Sequence, residues 1–200
     1  MRVRPEDCRA IGLFESIAGE ILAERELLMK AIELRHLHAG ETLFSQDEAH
    51  PFIYVVRQGL LKLTYLNAHG DEWTKSLVAD GQFFASLSAL RSGQASFSVC
   101  AIEACVLERM PFRVVEQLAD RDLAWSRMVR TALMIFAERK ERRERQFLTM
   151  SAETRYRLLL DEEPHLAARV PQKDLASYLG ITPVGLSRIA RRVRAGVRET

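Results

Sequence analysis

Ser187, Arg188, Arg191, Arg192 and Arg194 stand near the end of the chain at spacings that place them on the outer face of one helix. Guanidinium groups suit oxyanions, because each offers a planar fork of N–H donors to phosphate oxygens or to paired acceptors on a base edge. Leu186, Ile189 and Val193 form the apolar stripe on the opposite face. Just upstream, Leu175, Ala176 and Leu179 share one face of a shorter helix, for which Pro171 suits the first position. Gly180 stands where that helix should stop, Thr182 can cap the next one, and Pro183 follows at its first helical position. Ala176 is small where the two helices would cross. This layout is that of a helix-turn-helix whose second helix enters a DNA major groove. The plainer alternative is a helical hairpin with a solvated basic face.

Charge is unevenly spread along the 200 residues. Residues 1–137 carry 15 Lys and Arg against 18 Asp and Glu, whereas residues 138–200 carry 14 against 9. A basic C-terminal third behind a mildly acidic body fits a DNA-binding module attached to another unit. No run approaches the length of a membrane span, and no apolar segment follows the basic N-terminal residues, so neither a membrane anchor nor a secretory signal is expected. Cys8, Cys100 and Cys105 are too few and too scattered for a disulfide framework, which makes a reducing cytoplasm the expected location.

These helices need a body to position them. Residues 11–33 carry a helical period interrupted near Gly19. From Arg35 to Arg109 short apolar segments alternate between glycines at 40, 59, 70 and 81. Strands are expected at 42–44, 52–56, 61–66, 73–78, 96–101 and 104–109, with a hairpin turn at Asn67–Asp71. That spacing suggests a small antiparallel barrel or jelly roll. Pro111 should begin a helix over 112–119, and a longer one should run from 122 to 146. In the latter, Met128, Val129, Ala132, Ile135 and Phe136 form a seam expected to meet a partner helix in a two-fold dimer. The competing reading packs that stripe on the chain's own barrel. Residues 138–145 are all charged and read as a solvated helix end, and Thr149 and Ser151 offer caps for a new helix beyond a hinge at 147–150.

In this order, the helix, glycine-punctuated roll, long helix and helix-turn-helix, with its run LASYLGITP followed by LSRI, resemble the Crp/Fnr superfamily of bacterial transcription regulators. The resemblance implies an α+β fold: a cyclic nucleotide-binding-like β-roll effector domain over 1–120, a dimerisation helix over 121–148, and a DNA-binding domain over 149–200. It implies a homodimer on a palindromic site in double-stranded DNA, in contact with RNA polymerase if it activates. Pro183, Val184 and Arg188 take the positions that face base edges, with Arg188 suited to a bidentate contact to guanine. Gln172, Lys173, Thr182, Ser187, Arg191, Arg192 and Arg194 are the other candidate DNA contacts. With only 195–200 beyond the second helix, a full C-terminal wing is not expected.

The cyclic AMP-binding members share a pocket motif in which a glutamate takes the ribose and an arginine the cyclic phosphate. Gly81-Gln82-Phe83-Phe84-Ala85-Ser86-Leu87 and Gly93-Gln94-Ala95-Ser96-Phe97 align with it. Ser86 stands in place of the glutamate, Ser96 in place of the arginine, and Phe97 in place of a small residue. Arg91 is a poor substitute. Cyclic AMP is therefore not expected as the effector, and Phe84, Ser86, Leu87 and Ser96 are the candidate lining of whatever pocket remains. No cofactor or metal is expected, since the cysteines cannot supply an iron–sulfur cluster. Two other classes compete. His36, His38 and Glu41 could be ligands of a cupin-like metal enzyme, although no second histidine motif follows. A ligand-binding module acting on a protein partner is the other, and the arginine-rich helix argues against it.

Overall fold

The computed structural model describes residues 8–196. Two short helices, α1 (Arg9–Ala18) and α2 (Arg25–Ala31), occupy the expected N-terminal helical stretch and part at Gly19. The roll follows as β1 (Glu33–Leu37), β2 (Thr42–Phe44), β3 (Phe52–Gln58), β4 (Leu60–Leu66), β5 (Glu72–Ala79), β6 (Phe83–Ala85), a helical turn α3 (Leu87–Ser92), β7 (Ser98–Ala101) and β8 (Cys105–Pro111). Next come α4 (Phe112–Ala119), the long α5 (Leu123–Thr149), α6 (Ala152–Glu162), α7 (Pro164–Arg169), α8 (Gln172–Tyr178) and α9 (Pro183–Gly196). The expected strands are present to within a few residues. Three short elements were not foreseen, β6, α3 and α7.

Two four-stranded antiparallel sheets, ordered β1-β8-β3-β6 and β2-β7-β4-β5, face each other. Their inner faces bury Leu37, Tyr54, Val56, Leu61, Leu63, Phe84, Val99 and Leu107. Residues alternate across a pleat, so Val55 and Phe83 point outward from the first sheet. There they join Phe14, Leu28, Trp125 and Met128 in a second core beneath the helices. The outward residues of the other sheet, Leu60, Leu77 and Ala79, are covered by α6–α9. β3 is therefore covered on both faces, which is why it reads FIYVV without polar alternation. Gly59 joins β3 to β4 at φ +111°, where a Cβ would lie 2.8 Å from the Ala104 carbonyl oxygen. No side chain fits there.

Buried polar anchors orient the helices. The Glu108 carboxylate is fully buried and accepts from the backbone N–H of Arg9 at 3.0 Å and of Ala10 at 2.7 Å, capping α1. Trp125 donates its indole N–H to the Ala23 carbonyl at 2.7 Å.

This packing takes Met128 out of the expected partner-facing seam of α5 and leaves the rest of that seam half-buried. Met128 is 2% exposed within the second core, and Val129, Ala132, Ile135 and Phe136 pack against the same core. Phe136 meets Phe83 edge-to-face at 5.0 Å. An apolar stripe finds the nearest apolar surface, here the roll's outer face. The opposite face of α5 carries Leu123, Arg127, Arg130, Met134 and Ala137, all exposed. Ser151, not Thr149, caps α6, accepting from the Thr154 N–H at 3.1 Å; the Thr149 hydroxyl instead donates to the Arg145 carbonyl within α5. Pro171 precedes α8 at its cap rather than opening it.

Candidate nucleic-acid interface

The turn between α8 and α9 follows from its sequence. Gly180 adopts φ +69°, and the Ile181 N–H donates back to the Ala176 carbonyl at 3.0 Å, closing α8. The Thr182 hydroxyl accepts from the Gly185 N–H at 3.1 Å, and Pro183 opens α9. Leu175 and Ala176 of α8, Leu179 at its C-cap, and Leu186, Ile189, Ala190 and Val193 of α9 are buried together.

That burial leaves one continuous outer face. Thr182, Pro183, Val184, Ser187, Arg188, Arg191, Arg192 and Arg194 are all exposed, as are Gln172 and Lys173 beside them. Arg192 alone of the α9 arginines is held among the described residues, by Glu153 of α6 at 2.9 Å. The arrangement brings together every residue that the sequence marked as a possible DNA contact. Residues 197–200, where a wing would have to lie, fall outside the described residues.

The unit is seated on the roll. Ser177 of α8 accepts from both the backbone N–H and the hydroxyl of Thr74 in β5, at 2.9 and 3.0 Å. Lys62 of β4 bridges Glu72 and Asp174. Arg169 grips Glu103 with two parallel N–H donors, at 3.0 and 2.8 Å, and reaches Asp80 at 2.6 Å. Arg143 of α5 donates to the carbonyls of Thr74 and Tyr178. Phe147, at the end of α5, lies between the guanidinium groups of Arg143 and Arg155 at 4.7 and 4.5 Å. Sequence reasoning missed these contacts, since the partners lie up to 112 positions apart.

Inside the roll, a column of rings occupies the space between the sheets. Phe44 stacks on His50 at 4.1 Å, and Tyr54 stacks on Phe84 at 5.1 Å. His50 Nε2 and the Tyr54 hydroxyl are 2.6 Å apart. Burial lowers the His50 pKa against the pull of Glu48, and burial raises that of Tyr54. Ser86 and Ser96 are adjacent, as the alignment implied, but they face each other across 3.4 Å. The Ser86 hydroxyl accepts from the N–H of Ala89, capping α3, and from the N–H of Ser96. Leu87 is 45% exposed at the start of α3, so the expected pocket lining loses that residue. His36 and His38 are exposed, and among the described residues no three His, Cys, Asp or Glu side chains are grouped to hold a metal ion. No described helix is long and apolar enough to cross a membrane.

Comparison with known proteins places this architecture. A model of the cyclic nucleotide-binding domain matches residues 34–122. The Cyclic AMP receptor protein of Thermus thermophilus is 30% identical over 91 residues, which is 46% of this chain and 41% of that protein. The Nitrogen fixation regulation protein FixK of Bradyrhizobium diazoefficiens is 25% identical over 198 residues, covering 91% of this chain and 80% of its own length. The structure of FixK2 from Bradyrhizobium japonicum superposes with a TM-score of 0.72 at 18% identity, over 82% of this chain and 85% of that one. Residues 34–122 thus match a cyclic nucleotide-binding domain, and with the roll, the long helix and the helix-turn-helix in this order the chain has the fold of FixK2.

Proposed function

We propose that the chain is a homodimeric transcription regulator that reads a palindromic DNA site with α9. The observation that carries this reading is the two-sidedness of α9. Its apolar residues are buried against α8, and its outer face exposes Arg188, Arg191 and Arg194 with Ser187 between them. Arg188 supplies bidentate contact to a guanine, Pro183 and Val184 touch apolar base edges such as a thymine methyl, and the flanking residues hold phosphates. Two copies on a two-fold axis place their α9 helices about 34 Å apart, one turn of the duplex. The exposed face of α5 around Leu123, Met134 and Ala137 supplies the dimer contact.

The same reading makes cyclic AMP a poor effector for this roll. The two serines that replace the glutamate and arginine are short and already bonded to each other and to backbone. Calorimetry with cyclic AMP tests this directly, and stoichiometric micromolar binding would contradict it. The function itself is tested by selecting genomic DNA fragments on the purified protein, with Arg188→Ala in parallel. A palindrome enriched by the unmodified protein and lost in the variant is expected. Sequence-blind, salt-sensitive retention by both proteins would show that α9 is not a reader.

A further inference from the structure

One carboxylate joins the reading helix to a cation outside the reading face. Glu153, in the first turn of α6, accepts at Oε1 from Arg157 at 3.1 Å, and its Oε2 lies 2.9 Å from Nη2 of Arg192 in α9. Each oxygen therefore holds one guanidinium, and the two come from different helices. The arginine side chains are 46% and 64% exposed and that of Glu153 is 30% exposed, so the cations are the more accessible members of the group. Arg157 first, then the charge of Arg192, hold the Glu153 carboxyl below the usual carboxylate range, which keeps it ionised at neutral pH.

Val184, Arg188 and Arg192 follow one another at four-residue spacing and share one ridge of α9. Arg192 therefore stands about 6 Å beyond Arg188 along the helix. A recognition helix reads bases with its N-terminal residues, so on DNA Arg192 falls nearer the backbone than the base edges. Arg157 is brought to the same place from α6 by the carboxylate that the two arginines share. Ion pairs this exposed add little to stability. A phosphate offers a guanidinium the same paired oxygen acceptors as a carboxylate, so a duplex backbone competes with Glu153 for both cations. A carboxylate in a first helical turn also suits the helix dipole, but that role requires no arginine from α9.

We propose that Arg157 extends the DNA-contact surface onto α6, and that Glu153 restrains Arg157 and Arg192 and so limits sequence-blind binding to DNA phosphates. This rests on α9 being the DNA-reading helix. Phosphate contacts carry no sequence information, so releasing these two cations raises affinity for any duplex, the competing non-specific sites of a genome included. The test measures binding of the full chain to a random-sequence duplex by fluorescence anisotropy between about 50 and about 200 mM salt. Each phosphate engaged steepens the fall of log K with log salt by about 0.9. Glu153→Gln is expected to bind about tenfold more tightly at the low-salt end, with a slope steeper by at least about 1.8, one released guanidinium per protomer of a dimer. In a chain already carrying Arg157→Gln and Arg192→Gln, the same change should leave the slope where it was. An unchanged slope in Glu153→Gln, or weaker binding, would overturn the proposal, as would equal steepening without the two arginines. Because the duplex has random sequence, these outcomes are independent of whether Arg188 reads bases, which the selection of genomic fragments decides. Retention of no duplex by either the unmodified chain or Glu153→Gln would refute both this site and the reading role of α9.

Discussion

Gly180→Ala perturbs the turn that aims α9, and its cost follows from two separable causes. The first is conformational: Gly180 sits at φ +69°, where an alanine costs about 1–2 kcal/mol. Alanine also restricts the unfolded chain, which returns about 0.4–1 kcal/mol. The second is steric: a Cβ would lie 2.6 Å from Cε1 of Phe147. That ring is held between Arg143 and Arg155, so moving it forfeits two cation–ring contacts, each about 0.5–1 kcal/mol. The net destabilisation expected is about 1–3 kcal/mol. The assay is urea unfolding followed by circular dichroism, run as a double-mutant cycle with Phe147→Ala. With the ring gone, the steric part vanishes, so Gly180→Ala should cost about 1–2 kcal/mol less in that background. If the two substitutions are additive, Phe147 does not brace the turn, and the link drawn here between the end of α5 and the aim of α9 is wrong.

The remaining predictions concern the core and the dimer. Met128→Ala should destabilise the chain by about 2–5 kcal/mol in urea unfolding, because it opens a cavity beneath the roll. Met134→Ala, at a site 58% exposed, should leave unfolding nearly unchanged but weaken self-association in sedimentation; the reverse pattern would restore the Met128 seam as the dimer contact. Glu108→Ala should cost about 3–5 kcal/mol, since it removes a buried carboxylate from the start of α1 and from Arg57 at 3.3 Å. His50 has a lowered pKa when folded, so the unfolded chain takes up its proton first, and stability should fall as pH drops below 6.5. In His50→Phe that acid-side loss should disappear even though the variant is less stable overall, which thermal melts across that pH range would reveal.

Much of the reading unit was legible from residue types alone. Gly180, Thr182 and Pro183 each have one conformational role at such spacings, and the turn uses them as written. The alternation of Leu186, Ile189 and Val193 with arginines fixed which side of α9 is buried. The strands of the roll were legible for the same reason, since glycines bound them and apolar residues fill them. β6, α3 and α7 were not, because segments this short are stabilised by neighbours rather than by their own pattern.

The seam of α5 shows where local pattern stops. Met128, Ala132 and Ile135 determine that one face is apolar, but an apolar face does not name its partner. The hydrophobic effect has no direction, and this stripe packs against the core that holds the roll's Val55 and Phe83. Likewise, Lys75 in a strand written EWTKSLVA carries no mark of its bulge, which arises when the β4 register slips by one residue. What the sequence determined by itself were properties of single elements: their period, their caps and the chemistry on their exposed faces. What only the tertiary structure decided was which faces meet, because that choice depends on distances between residues far apart in the chain.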